Sequence, residues 1–313
     1  MTIALAFDIG LGIVLLAIAG WAIAARGSYA AAVAFVVYGL LLAIVWVRLF
    51  AVDVALTEAA IGSGVTGMLL LSAAARLRVT EPTAGTAGMP LRIVVGIFCA
   101  LISAALAAAI LFPPDAVFTL APAAMAHLPE SGLGNPVAGV LFVYRSLDTL
   151  LEKVVLLLAL LGVWSLAPDR FWGGIPGLQV YPQRNAILGF FAQILPPLGI
   201  MVAIYMTWVG ADHPGGAFQG GAVLAVIWIL VMIAGLRDVP PISRRGMRLL
   251  LVIGPIVFLA IGLAGFALAG AFLGYPAGYA KPLIIVIELT LTISIGVTLG
   301  LLAAGPPERT QQQ

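Results

Sequence analysis

The amino-acid sequence predicts an all-α polytopic membrane protein with about nine transmembrane helices. Hydrophobic residues make up 63% of the 313 positions and charged residues only 9%, whereas a soluble domain carries about 25% charged residues. The apolar stretches are about 20 residues long, which at about 1.5 Å per residue is enough to cross roughly 30 Å of hydrocarbon. The alternating polarity of a membrane β-barrel does not occur. Most of the surface is therefore expected to face lipid.

Nine apolar stretches mark the predicted spans. The first four cover residues 3–25, 30–49, 54–75 and 91–112. A long connection leads to a fifth span, and the remaining four follow it: 147–166, 186–209, 218–235, 249–270 and 283–303. An odd number of spans places the two termini on opposite sides of the membrane.

Basic residues predict the orientation of these spans. With the N-terminus in the periplasm, the periplasmic segments hold only Arg48, Arg145 and Lys281. The cytoplasmic segments then hold eleven arginines: Arg26, Arg76, Arg78, Arg92, Arg170, Arg184, Arg237, Arg244, Arg245, Arg248 and Arg309. Because basic residues favour the cytoplasmic side, we expect a periplasmic N-terminus and a cytoplasmic C-terminus in a bacterial inner membrane.

The spans group into three blocks and a tail. Residues 1–80 hold three helices with short connections and end in a linker rich in Gly, Thr and Pro. Residues 88–168 hold two helices and a long periplasmic loop, and residues 184–305 hold four helices. Residues 306–313 are polar and are predicted to be disordered.

Several function classes are excluded by composition. Cys99 is the only cysteine, so neither a disulfide framework nor a multi-thiolate metal site is expected. No basic run suits nucleic acid, and no metal-ligand spacing, phosphate-binding glycine loop or catalytic triad occurs. We therefore expect no metal, no cofactor and no enzymatic activity of the chain itself.

The third predicted span contains a carboxylate whose membrane burial requires a reason. A charge at the centre of a bilayer costs about 2.5–3.5 kcal/mol on insertion scales. Glu58 lies just over one turn into this span, after Arg48 and Asp53. It is a candidate proton relay. The alternative is an interfacial charge paired with Arg48 that fixes the helical hairpin.

The densest group of charges begins the fifth span. Asp148 and Glu152 are four residues apart on one helix face, and Arg145 lies three residues before Asp148. Two such carboxylates repel and favour a shared proton. Lys153 follows directly, at a depth that its position leaves open. The group is interpreted as a proton relay, with a satisfied ion network at a helix end as the alternative.

A glycine-rich turn joins two apolar helices on the predicted periplasmic side. Proline interrupts a helix and glycines permit tight turns or close helix contact. His213, which titrates near neutral pH when unperturbed, is a candidate proton collector. A structural turn with a solvated histidine is the alternative. The turn residues are Pro214, Gly215, Gly216, Gly220 and Gly221.

Glu288 lies one to two turns into the last span. Lys281 precedes it by seven residues on the same face, about 10 Å away along the helix axis. Glu288 is interpreted as a carboxylate facing the bundle interior, with a helix-end charge as the alternative. Asp8, early in the first span, is interpreted only as a helix-end charge.

These motifs resemble modules of one family of membrane complexes. Residues 51–64 resemble the Asp-x-Ala-x-Thr-Glu-Ala-x-x-Gly-x-Gly pattern of the D-type small subunit of membrane-bound hydrogenase, which also occurs in the large subunit of Mrp-type Na⁺/H⁺ antiporters. Residues 135–152 resemble the E-type module that follows it. From residue 184 onward, with the turn at 213–221, the chain is similar to the B subunit of Mrp antiporters.

The order of the three modules also resembles that family. Ala217 and Leu151 depart from it, since each stands where a glycine is usual, and both put local helix packing in question. The resemblance implies a fused subunit of an Mrp-type antiporter or of a related ion-translocating hydrogenase. It also implies that Glu58, Asp148 and Glu152 line a cation or proton path.

The resemblance implies partners as well. The large antiporter-like module is absent from this chain, so larger antiporter-like subunits and other small Mrp-type subunits are expected beside it, with Na⁺ and H⁺ as the transported ions. Two other functions are open. One is a structural membrane scaffold with static ion pairs, and the other is a stand-alone transporter of a small solute.

Overall fold

The apolar stretches fold as helices across the residues that the computed structural model describes, which are 3–77, 88–113, 119–177 and 186–309. Within these ranges seven helices are long and apolar enough to cross a membrane. Two further helices, Ser146–Trp164 and Ala217–Ile233, lie at the positions of the other two predicted spans. The first carries three charged residues, and the second has only 17 residues. The prediction of an all-α, multi-pass membrane protein is confirmed, while the orientation of its termini stays a prediction.

The first block is a helical hairpin followed by a broken helix. Its elements are α1 (Ile3–Ala24), α2 (Ser28–Arg48), α3 (Val52–Thr57), a π-helical segment (Glu58–Val65) and α4 (Thr66–Leu77). The π-helical segment widens the third span, and such segments are frequent at functional sites. At Gly67 an added Cβ would overlap the side chain of Val36 on α2. Glycine therefore permits the close approach of these two helices.

The second block places short helical pieces before a long one. They are α5 (Met89–Leu111), α6 (Ala121–His127), a 3₁₀ turn (Leu128–Ser131), α7 (Pro136–Gly139), a π-helical segment (Val140–Tyr144) and α8 (Ser146–Trp164). The side chain of Asn135 caps α7 by accepting a hydrogen bond from the backbone N–H of Val137 at 2.9 Å. No residue of α5 is buried, so its surface is left to lipid or to other proteins.

The third block contains the core. It consists of α9 (Ala186–Val209), α10 (Ala217–Ile233), α11 (Arg245–Ala269) and α12 (Ala280–Ala304). Helix α12 is central, and its apolar side chains Ile284, Ile287, Leu291 and Ile295 are at most 1% exposed. It packs against α8 to α11, and α10 also packs against α3 and the first π-helical segment. Blocks one and two are thus both attached to block three.

A short sheet closes one end of the bundle. Strand β1 (Ile175–Pro176) pairs antiparallel with β2 (Pro307–Arg309). The prediction that the chain is disordered from residue 306 onward is therefore wrong for β2, because backbone pairing with β1 orders it. Residues 310–313 lie outside the described residues. So do 78–87 and 178–185, which include the predicted block boundaries at 80 and 184.

Candidate functional site

The three blocks meet at one buried carboxylate. Asp53, at the start of α3, is only 8% exposed. Its Oδ1 accepts a hydrogen bond from the backbone N–H of Gly215 at 2.9 Å, and its Oδ2 lies 3.5 Å from Nδ2 of Asn135. Asp53 thereby joins the first block to the turn of the third block and to the start of α7. A buried carboxylate of this kind requires such donors.

Asn135 uses both ends of its amide at this junction. Its Nδ2 donates to the carbonyl oxygens of Gly210 and His213, each at 3.0 Å. The backbone N–H of Asn135 and that of Gly134 both donate to the carbonyl of Ala211. The second block is therefore fastened to the glycine-rich turn by several backbone-directed hydrogen bonds.

The glycine-rich turn requires its glycines. Gly215 has φ 153° and Gly216 has φ 125°, a region that side-chain-bearing residues rarely adopt. An added Cβ on Gly215 would lie 2.5 Å from the carbonyl oxygen of Met206. Gly220 and Gly221 serve packing, since a Cβ on either would overlap α9 or α12, for example Ile295 at 2.6 Å.

Glu288 of α12 lies directly beside this turn. The side chain is 2% exposed. The backbone N–H of Ala217, the first residue of α10, donates a hydrogen bond to its carboxylate, and the α10 N-terminus favours an anion there. Its second oxygen, Oε2, is buried without a hydrogen-bond partner. The position agrees with the interior carboxylate expected from the sequence.

A cavity of about 770 Å³ opens at this junction. Most of its wall is apolar, yet four carboxylates line it, and they come from all three blocks: Asp53, Asp148, Glu152 and Glu288. The amides of Asn135 and Gln219 and the hydroxyl of Thr57 line it too. Such a set of oxygen and amide groups can hold a small cation or relay protons. In the described ranges, no three His, Cys, Asp or Glu side chains are grouped to hold a metal ion.

Residues of the Asp148 group point to two sides of α8. Arg145 pairs with Asp148 at 2.5 Å, and both side chains are more than half exposed. Glu152 lies on the cavity side. Lys153 faces the other way and is 1% exposed, with its Nζ donating to Thr298 Oγ1 of α12 at 3.3 Å. Lys153 is thus deeply buried but does not line the cavity.

Glu58 also lies apart from the cavity. It begins the π-helical segment, and its carboxylate lies against Gly39 of α2 and Gly62, where an added Cβ would come within 3.0 Å of Oε1. The alternative that pairs Glu58 with Arg48 is wrong, as is the expected support of Arg48 for Asp53. Arg48 instead pairs with Asp8 at 2.7 Å, because α1 and α2 form a hairpin that brings Asp8 beside Arg48.

His213 is exposed and does not line the cavity. The preceding residue, Asp212, pairs with Lys281 at 2.7 Å, which leaves Lys281 away from Glu288. Hydrogen bonds from Lys281 are the largest cause that lowers the pKa of the Asp212 carboxyl below its ordinary value. This exposed ion pair holds the turn to the start of α12.

Three residues of the junction were missed as site residues by the sequence reasoning. They are Asn135, Thr57 and Gln219, whose Nε2 donates to Thr57 Oγ1 at 3.0 Å. All three lie within the motifs that carry the family resemblance. Their mutual contacts span more than 75 positions, so only the tertiary fold brings them together.

Two family models match the chain. Residues 13–79 match MbhD, the model that describes the D-type component of MBH, and residues 187–304 match a domain related to the MnhB subunit of the Na⁺/H⁺ antiporter. An uncharacterised protein of Methanocaldococcus jannaschii is 30% identical over 156 residues, which are 44% of this chain and 59% of that protein. The chain thus spans less than two thirds of that relative.

Two solved structures share the fold. The Mrp complex from Dietzia sp. DQ12-45-1b matches with a TM-score of 0.75 at 23% identity, over 97% of this chain and 35% of that chain. The membrane-bound sulfane sulfur reductase, an archaeal respiratory membrane complex, matches with a TM-score of 0.58 at 24% identity, over 69% of this chain and 98% of that chain. By its two matched domains, the chain is a membrane protein of the Mrp/MBH type that joins an MbhD domain to an MnhB-related domain.

Proposed function

We propose that the chain is a membrane subunit of a multi-subunit cation/proton antiporter of the Na⁺/H⁺ type, and that its cavity forms part of the ion path. The observation that carries this proposal is Glu288 Oε2, a buried carboxylate oxygen without a partner beside a cavity that Asp53 also lines. An unpaired intramembrane carboxylate is costly and marks an ion or proton pathway more often than a packing element.

The cavity joins the blocks in a way that suits this role. Glu152 approaches from α8 and Glu288 from α12, so a proton or cation entering beside Asp148 meets carboxylates in succession. The partners in this proposal are larger antiporter-like subunits and small Mrp-type subunits, because this chain resembles only a part of such a complex. Glu58, Lys153 and His213 lie off the cavity and are candidates for other parts of the path.

The alternatives differ in what the carboxylates do. In a structural scaffold the Asp53 junction would hold blocks together and the cavity would carry nothing. In a stand-alone transporter the purified chain alone would move a solute. The matched MBH and sulfur reductase proteins come from redox complexes by their names, so a redox module beside the chain is a further arrangement. A run of neighbouring genes without hydrogenase-like subunits would favour the pure antiporter.

Access of ions to the cavity is testable with two adjacent valines of α8. Val155 lines the cavity, whereas Val154 is exposed on α8 outside it. In a Cys99→Ser background, Val155→Cys in the assembled complex should react with a charged thiol reagent and lose cation/proton exchange. Val154→Cys, treated identically, should keep exchange. Exchange that survives full modification of Val155→Cys, or a thiol there that stays unreactive, contradicts the proposal.

A further inference from the structure

A second cavity lies at the arginine-rich end of the bundle. It is a groove of about 400 Å³ between the C-terminal half of α8 and the N-terminal half of α11, bordered by Pro307 of β2. Leucines form most of its wall, among them Leu157, Leu161 and Leu251. The groove shares no lining residue with the carboxylate cavity. It therefore belongs to neither the Asp53 junction nor the proposed ion path.

Two hydrogen-bond donors line this apolar groove. Arg248 donates from Nε to the carbonyl of Ile242 at 3.1 Å, and among the described residues no carboxylate pairs with its guanidinium. Trp164 is 6% exposed, and its indole Nε1 is buried without an acceptor. A buried N–H of this kind is normally satisfied, so a ligand oxygen in the groove would complete it.

The surroundings of the groove are positively charged. A neighbouring cavity of about 940 Å³ is lined by Arg237, Arg244 and Arg309, against the two carboxylates Asp238 and Glu308. Its lining residues are sequence neighbours of those of the groove, such as Pro241 beside Ile242. The groove thus combines an apolar wall with a cationic end.

We propose that this groove binds an anionic phospholipid of the surrounding bilayer, with an acyl chain along α8 and α11 and the phosphate at Arg248. Basic pockets between transmembrane helices are suited to anionic headgroups, and tryptophans such as Trp164 and Trp172 favour the level of the headgroups. A small water-soluble anion would gain nothing from the leucine wall, and a zwitterionic lipid lacks the net charge that the arginines attract.

Native mass spectrometry of the purified full chain tests this proposal. The chain is delipidated in mild detergent and offered phosphatidylglycerol and phosphatidylcholine in equal amounts. Wild-type chain should retain phosphatidylglycerol preferentially. Arg248→Gln should lose most of this preference, whereas Arg92→Gln, the same change in an exposed arginine of α5 outside the groove, should keep it. Thermal melting of each variant checks that it is folded.

A groove-filling variant makes the test independent of Arg248. Leu161 is 48% exposed and lines the groove, so Leu161→Trp should occupy the acyl-chain space without disturbing the core. This variant should retain less of both lipids. Equal retention of the two lipids by wild type, unchanged retention by Arg248→Gln, or unchanged retention by Leu161→Trp would each overturn the proposal. So would a groove that in the assembled complex is filled by a protein side chain or helix.

Discussion

Asp53 and Gly215 are joined by a hydrogen bond of 2.9 Å across 162 positions of sequence. The bond runs from a backbone N–H in the glycine-rich turn to a carboxylate in a helix of the first block. Since Asn135 of the second block also approaches this carboxylate, one side chain ties the three blocks together. The carboxylate cavity forms around this tie, so the architecture and the proposed ion path depend on the same residue.

Removing the Asp53 carboxylate should loosen the junction. Asp53→Ala leaves the Gly215 N–H without its acceptor, which costs about 1–3 kcal/mol for a buried donor. We expect a lower melting temperature in detergent and weaker assembly. Asp169→Ala, at an exposed aspartate outside the junction, is the control. Equal melting temperatures for the two variants would show that the junction contributes nothing to stability.

The conformation of Gly215 gives a second stability prediction. Gly215→Ala would place a Cβ 2.5 Å from the Met206 carbonyl at φ 153°, and unfavourable backbone conformations cost about 1–3 kcal/mol each. The melting temperature should fall. Gly246→Ala, where a Cβ meets nothing within 4 Å at the start of α11, should be neutral or stabilising, because alanine favours helix. A Gly215→Ala protein as stable as Gly246→Ala would contradict the required turn geometry.

Sequence reasoning could predict the helices but not their contacts. A run of apolar residues long enough to span a bilayer indicates a helix without knowledge of its neighbours, and the interior position of Glu288 followed from its depth in such a run. The partner of Arg48 did not follow, because Asp8 and Glu58 are both plausible by sequence and only the hairpin of α1 and α2 decides between them. The same holds for the side of α8 that Lys153 occupies.

Local backbone features were also beyond the sequence pattern. The π-helical segments at Glu58–Val65 and Val140–Tyr144 shift the residues that follow them around the helix, so a regular 3.6-residue period misplaces those faces. The strand at Pro307–Arg309 arises from pairing with a segment more than 130 residues earlier. A polar tail considered alone gives no indication of such a partner.

The Asp212–Lys281 pair predicts a specific pH dependence. The pKa of Asp212 is lowered from 3.8, so its stabilising contribution is present above about pH 3.8 and is lost as the pH falls through the lowered pKa. Because the Asp212 side chain is 43% exposed, solvent screening limits the contribution to about 0–1 kcal/mol. Asp212→Asn should therefore melt slightly below wild type near neutral pH, and this difference should disappear in strong acid or high salt.

The same pair should not set the pH profile of transport. Asp212 stays ionised throughout the neutral and alkaline range, so Asp212→Asn should leave the pH optimum of exchange unchanged. A shifted optimum, measured in vesicles, would show that this ion pair takes part in proton transfer.

The predicted orientation follows from the distribution of arginine. A reporter fused after Gln313 should be active in the cytoplasm, and one inserted at His213 should be active in the periplasm. Matched reporters of both types at each position serve as controls. The reverse pattern at both positions would show that the chain is inserted the other way round.

The central claim is that the carboxylates of the cavity carry ions and do not merely hold the complex together. Its most direct test is cation/proton exchange in vesicles containing the complex with Glu288→Gln or Glu152→Gln, from neutral to mildly alkaline pH. Glu130→Gln, at a 75% exposed carboxylate outside the cavity, is the matched control. Both cavity variants should assemble normally, since glutamine keeps the shape, and exchange should fall by about 100-fold, as expected when a proton-transfer group is removed. Normal exchange in both cavity variants, or loss of assembly in place of loss of exchange, would contradict the claim.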